Sequence, residues 1–394
     1  LDYKGNEIII DTNNIKDSIL LKLQVITTYL SFFVFGLSDE TIGVLIPVFV
    51  KEYHSKESTI SLLYFAQFFG YFIISLFNDQ CHKIIGFHGV ATLSVLFMGL
   101  CSFIAMFQPP FFILILAYVL CGVGAGAQDA AVSVWLGKLD YSNELSNLLH
   151  ASYGVGCICS PLIVTRLLLA HNISWKFHYG LIFVLTIVLT LLNFLVFRHE
   201  TKWKYEWQLQ NESSLNLDEP RSNDNSLQPE DTSSDIRNAI RNSKVLALAA
   251  FLFLNVGTEV VIGGWTLSYL IKVKNGSMNE MSVVVSTFWF GLTIGRVILG
   301  FITPRLSSEY FANHIYNILS IFFFALFYLS SSYWFYIATI FSTGIFIGPI
   351  FPTTSVYAIK VLPVHLHVSG VGFAMALGGG GAAILPWFVG ICCE

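Results

Sequence analysis

Apolar residues in this chain fall in long unbroken runs rather than in stripes. Runs near 24–49, 59–78, 87–107, 111–136, 146–170 and 177–198 are each close to or above the roughly 20 residues a helix needs to cross a bilayer. A second series lies near 245–271, 280–304, 311–331, 333–358 and 367–391. Residues 199–244 separate the two series. They are rich in Ser, Asn, Asp and Glu with almost no apolar run, the composition of a disordered linker. The prediction is an all-α membrane protein: a polar segment over 1–23, a six-helix half over 24–198, the linker, and a second half over 245–394 with five helices. The chain stops at Cys392-Cys393-Glu394, directly after the eleventh run, and a twelfth helix is expected to belong to the natural protein.

Composition agrees. The chain is 55% hydrophobic and 12% charged, against about 25% charged in an average soluble domain. This excludes a soluble enzyme and gives no basic surface for nucleic acid. Lys and Arg set the orientation. With the amino end in the cytosol, fourteen fall on the cytosolic side, half of them in and beside the linker. Five (Lys51, Lys56, Lys176, Lys272 and Lys274) fall on the other side, and Arg166 and Arg296 lie within runs. The reading is a multi-pass protein of the plasma membrane or an endomembrane, amino end and linker cytosolic. The seven cysteines are scattered at positions that suit helix packing, without metal-ligand spacing. No His cluster or nucleophile motif appears, so no enzyme, cofactor or metal site is expected, and the chain is taken to act as a monomer.

The halves resemble each other. The first helix of each carries an acid four residues before a glycine: Asp39 and Gly43, then Glu259 and Gly263. The fifth helix of each carries Gly-x-Gly-x4-Pro: Gly154, Gly156 and Pro161, then Gly379, Gly381 and Pro386. The offsets are 220 and 225 residues. A parallel repeat of six helices places a binding site between the halves near mid-membrane.

Three acids lie well inside runs: Asp39, Asp129 and Glu259. An ionised Asp at the bilayer centre costs about 2.5–3.5 kcal/mol on insertion scales, so each must face a bundle interior or a water-filled path. A carboxyl held there can take up and release a proton near neutral pH, the requirement for a proton-coupled carrier. The plain alternative for each is a structural hydrogen bond or salt bridge. Glu40 lies about 100° round the helix from Asp39, so the two are not expected to face one path squarely. Polar groups that suit a solute are Gln67, Gln128, Asn255, Asn193 and Asn317, with Tyr153 beside His150 at the start of the fifth helix. Trp265 follows Glu259 by nearly two turns and offers an aromatic platform of the kind sugar rings use. Gly122, Gly124 and Gly126 read as close helix packing. Arg296 falls towards the cytosolic end of the eighth helix, to snorkel or to pair with an acid at an inner gate. Gly348-Pro349-Ile350-Phe351-Pro352 predicts a bent or broken tenth helix.

At these residues the chain resembles the major facilitator superfamily, and within it the fucose permease-like branch with its fungal members. The matching stretches are Gly36-Leu37-Ser38-Asp39 with Gly43 and Pro47, Gly124-Ala125-Gly126-Ala127-Gln128-Asp129-Ala130-Ala131, and His150-Ala151-Ser152-Tyr153-Gly154-Val155-Gly156. Glu259 with Gly263-Gly264-Trp265, and Phe288-Trp289-Phe290-Gly291 through Gly295-Arg296, complete the set. The resemblance implies twelve helices, alternating access and proton-coupled uptake, with Asp39 and Asp129 at the places where fucose permease uses an acid for substrate and proton. The loop expected after the second helix, Asn78-Asp79-Gln80-Cys81-His82-Lys83, departs from the superfamily pattern of Gly, Asp, Arg and basic residues. It leaves Asp79 as an inner-gate candidate without its basic partner. The expected function is a proton symporter of a small polar solute, sugars included. A uniporter or proton-linked exporter of another solute stands as an alternative, as does a non-transporting sensor or scaffold with a carrier's fold.

Overall fold

The computed structural model describes residues 14–137, 139–205, 241–306, 308–362 and 367–392. The helices are α1 (Ile19–Asp39), α2 (Thr41–Glu52), α3 (Glu57–Ala105), α4 (Phe111–Gly137), α5 (Ser142–Leu162), α6 (Lys176–Val196), α7 (Ser243–Lys272), α8 (Met278–Ile302), α9 (Glu309–Leu329), α10 (Tyr333–Ile347), α11 (Ile350–Val361) and α12 (His367–Cys392). Among the described residues no strand occurs. Among the described residues ten helical stretches are long and apolar enough to cross a membrane, and Leu377–Cys392 is a shorter apolar helix, which accounts for the eleven expected runs.

Helix starts are set by short polar residues, as orphan N–H groups demand. The Ser18 hydroxyl accepts from Leu21 N, Asn242 from Lys244 and Val245 N, and Ser308 from Phe311 N. The first span is α1 and α2, interrupted at Glu40. The tenth is α10 and α11, broken at Gly348-Pro349, where the prolines led one to expect it.

The second and third spans are fused in α3, which corrects the loop expected over 78–83: those residues are helical. The chain turns instead at Gly86, whose φ of 70° suits a residue without Cβ. A Cβ there would lie 2.4 Å from Lys202 N and 2.5 Å from the Thr201 carbonyl carbon. The start of the expected linker thus seats itself on the bend, and His88 N donates to Glu200 O at 2.9 Å. Residues 206–240, the bulk of that linker, and residues 1–13 of the polar amino segment lie outside the described residues.

Large apolar side chains such as Leu191, Phe194, Leu195, Ile318, Ile321 and Phe322 are turned outward, a face that water would not tolerate but lipid does. The first span is the most enclosed, with 72% of its apolar window buried against 28% for the sixth and ninth, so it lies at the centre and they lie at the edge.

Glycine contacts bear out the internal repeat. A Cβ on Gly156 would lie 2.0 Å from Phe33 O, and one on Gly381 would lie 1.9 Å from Phe253 O. Phe253 and Gly381 are the positions offset from Phe33 and Gly156 by the 220 and 225 residues read from the sequence. The crossing of α1 on α5 therefore recurs as the crossing of α7 on α12.

Candidate functional site: a carboxylate-lined cavity between the halves

A cavity of about 500 Å³ opens at mid-span, walled by α1, α3, α4 and α5 on one side and α7, α8, α11 and α12 on the other. Asp39, Asp129 and Glu259 all line it. Asp39 is carried by α1, which Gly36 and Gly156 press against α5: a Cβ on Gly36 would lie 2.0 Å from Tyr153 O. That approach lets the Tyr153 hydroxyl donate to Asp39 Oδ2, while Gln67 Nε2 donates to Oδ1 at 2.5 Å. Asp129 on α4 accepts from the Tyr71 hydroxyl at 2.7 Å. Gly122 and Gly126 bring α4 down onto Gln67 and Tyr71, so these glycines position the acid rather than bind anything.

The third acid differs. Glu259 Oε1 accepts from Arg296 Nη2 at 2.8 Å, and Arg296 Nε donates to Gly348 O at 3.3 Å, at the break in the tenth span. Of the two readings open for Arg296, pairing with an acid is the one realised. Its partner sits in the cavity wall.

Three residues expected at the site, Gln128, Trp265 and Asn255, do not line this cavity. Gln128 is 1% exposed and turned away from the cavity, bonded to the Ser94 hydroxyl on α3. It faces the interior of its own half because the adjacent Asp129 takes the cavity side. Trp265 is buried beside Gly390 of α12 and does not line the cavity. Its neighbour Gly264 takes the cavity side of α7, and the indole turns to α12. Asn255 is likewise absent from the lining, where its neighbour Val256 stands. The side chain of Asp79 lies outside the described residues.

Other residues line the cavity without a signal of their own in the sequence. Tyr64 and Tyr71 flank Gln67 at helical spacings of three and four, so one cavity-facing Gln on α3 implied both. Trp289 lies two turns before Arg296 on α8 and lines the same wall. His150, read above all as a helix-start neighbour of Tyr153, is a lining residue with its ring 6.2 Å from Phe32. Glu40 lines the cavity together with Asp39. The 100° between them does not exclude one or the other. It sends Asp39 towards α3 and α5 and Glu40 towards Trp289 on the opposite half.

The named contacts across the halves lie from mid-span to the end remote from the linker. Lys272 pairs with Glu57 at 2.5 Å, and the Thr165 hydroxyl donates to the Ser282 hydroxyl at 2.6 Å. Ser286 donates to Ile158 O at 2.9 Å, and Gly43 meets Gly264 where α2 crosses α7. The innermost are Tyr153 against Trp289, ring centroids 6.4 Å apart, and Gly154 against Thr293. The cavity is therefore roofed on the side away from the linker.

Two helical halves around a mid-span cavity that carries carboxyl groups define a membrane carrier fold. Residues 28–386 match the Major Facilitator Superfamily, and the chain belongs to that family. It is 33% identical to Bypass of stop codon protein 6 of Saccharomyces cerevisiae, over 99% of this chain and 81% of that protein. It is 24% identical to the glucose/mannose transporter GlcP of Bacillus subtilis, over 92% of this chain and 86% of that one. Its fold is similar to that of a D-xylose-proton symporter (TM-score 0.70, 10% identity, 94% of this chain and 90% of the other). It is similar also to the nucleoside transporter NupG (TM-score 0.71, 14% identity, 93% and 90%).

Proposed function

We propose that this protein is a proton-coupled secondary transporter of a small polar solute, with sugars the leading class, working by alternating access as a monomer. The observation that carries the reading is the pair Asp39 and Asp129: two carboxyls in a cavity between the halves, each held by neutral donors alone among the described hydrogen bonds and ion pairs. A carboxyl bonded to Tyr and Gln can be neutralised by a proton without stranding a cation. Glu259 is tied to Arg296, so it serves structure or gating with that arginine. The inner-gate role of Asp79 stays a proposal on the sequence pattern.

A scaffold with a carrier's fold has no need for such acids. GlcP and the D-xylose-proton symporter lend support to sugar and to proton coupling. Asp39 and Asp129, at the two acidic places of fucose permease, support membership of that branch. With the linker cytosolic, as the Lys and Arg bias indicates, a roof on the far side makes this an inward-open state. Driving force is sufficient: one charge crossing 100 mV is worth about 2.3 kcal/mol, roughly a fifty-fold gradient, and a proton gradient adds to it.

The test is uptake of a labelled solute panel by proteoliposomes under an imposed pH gradient. Accumulation in the wild type that disappears in Asp39→Asn and Asp129→Asn, with solute exchange retained, supports the reading. Gradient-driven accumulation that survives both substitutions together removes these residues from coupling. No flux of any solute favours the scaffold.

A further inference from the structure

Three of the four acids lining the cavity have partners, as described. Glu40 is the exception. It is 5% exposed, and its Oε1 has no hydrogen-bond partner. Opposite it, on the other half, stands Trp289, 3% exposed. The indole is a neighbour of the Glu40 carboxyl, and its Nε1 also lacks a partner at hydrogen-bonding distance and angle. The Tyr64 hydroxyl closes the corner: it lies where a Cβ on Gly264 would be 2.3 Å away and one on Gly43 3.2 Å away. Other unpaired buried polar atoms, such as Trp265 Nε1 and Gln128 Nε2, do not border the cavity. Leaving a buried donor and acceptor unmade is costly, and a carboxylate more so, which calls for a group that enters and satisfies both.

We infer that Glu40 and Trp289 form a two-sided clamp for a hydroxyl group, and that the transported solute is a neutral hydroxylated molecule held by it at the roof of the cavity. The chemistry separates the solute classes. Glu40 offers an acceptor and Trp289 a donor, and a hydroxyl both donates and accepts, so one hydroxyl or a vicinal pair serves both. An ammonium would serve Glu40 and leave the indole N–H unpaired. A carboxylate or phosphate would serve the indole and meet Glu40 as a like charge. The aromatic faces of Tyr64, Tyr153 and Trp289 supply apolar surface for the carbon skeleton. Because the two clamp residues come from different halves, a bound hydroxyl also ties the halves together at their closed end. The clamp rests on the transport reading above, and adds to it the solute class and the residues that select it.

The experiment uses the purified full chain and solute counterflow in liposomes without a pH gradient, with thermal stabilisation and equilibrium binding in parallel. The panel is hexoses, pentoses, polyols and nucleosides, with quaternary ammonium ions, primary amines and monocarboxylates as rival classes. The expected result is a hydroxylated solute that binds and exchanges. Trp289→Phe keeps the ring and deletes the N–H, and is expected to weaken Kd about ten-fold, the loss of one buried hydrogen bond. The analogue lacking the clamped hydroxyl should bind wild type and Trp289→Phe alike, which a merely structural role for the indole would not give. Glu40→Gln keeps an acceptor and should retain more affinity than Glu40→Leu. Binding of amines or carboxylates in place of hydroxylated solutes overturns the clamp and leaves transport standing. So does a hydroxylated solute whose affinity ignores Trp289→Phe and both Glu40 variants, or a deoxy analogue that loses as much as its parent. Counterflow of nothing in the panel overturns the clamp and counts against transport as well.

Discussion

Replacing Gly36 by Ala adds a single carbon at the point where α1 meets α5. That carbon would sit 2.0 Å from Tyr153 O and 3.1 Å from Cys157 N. Moving it out to an ordinary contact near 3.5 Å needs a separation of about 1.5 Å. Neither neighbour is a flexible side-chain tip. Both are helix backbone, so the helices themselves must part. Overpacking of this kind costs about 1–3 kcal/mol. The same displacement pulls the Tyr153 hydroxyl from Asp39, so stability and transport should fall together. Gly381→Ala is the internal replica, 1.9 Å from Phe253 O in the other half, and should destabilise by a similar amount without touching the Asp39 bonds. Gly180 and Gly300 are the controls, with nothing within 4 Å of an added Cβ. Alanine there should be neutral or stabilise by up to about 1 kcal/mol through helix propensity. The assay is thermal unfolding followed by intrinsic fluorescence, with initial uptake rates alongside. A Gly36→Ala protein as stable and active as Gly300→Ala would refute the reasoning.

Other substitutions probe other parts. Arg296→Met leaves Glu259 charged and unpaired in the cavity wall, a loss of about 3 kcal/mol that the double variant with Glu259→Gln should largely restore, as thermal unfolding would show. Glu57→Gln removes the ion pair with Lys272 at the roof. Lys272 is 52% exposed, so the pair holds the roof by under about 1 kcal/mol and its loss should speed thiol labelling of a Ser282→Cys probe by up to about five-fold. Gly86→Ala should expel residues 200–202 from the bend and raise protease cleavage there, with little change in cavity chemistry.

Much of the architecture was legible because a bilayer leaves few options. Any long apolar run must be a helix, and a carboxyl within it must face inward, so Asp39, Asp129 and Glu259 could be placed from sequence alone. The internal repeat was readable because close crossings admit only glycine, as at Gly156 and Gly381. Helical phase around polar residues was harder to read. Gln128 and Asp129 are neighbours of equal polarity, and only packing against Ser94 decides which turns inward. Trp265 and Trp289 are both tryptophans in inner helices, and the side of the helix each faces, rather than residue type, separates them. Glu40 was set aside on angle alone, since the width of a cavity shared by two halves is a tertiary property. The turn at Gly86 was hidden because a polar stretch such as 78–83 reads as loop, yet it continues a helix up to the next glycine.

The central claim is that Asp39 and Asp129 carry protons with the solute. It is met most directly by a pH electrode outside lightly buffered proteoliposomes, recording as solute is added with no imposed gradient. The account predicts alkalinisation that starts with the solute, scales with its uptake and vanishes in Asp39→Asn and in Asp129→Asn while solute exchange continues. Solute entry with no proton movement in the wild type, or the same alkalinisation in both variants, would contradict it.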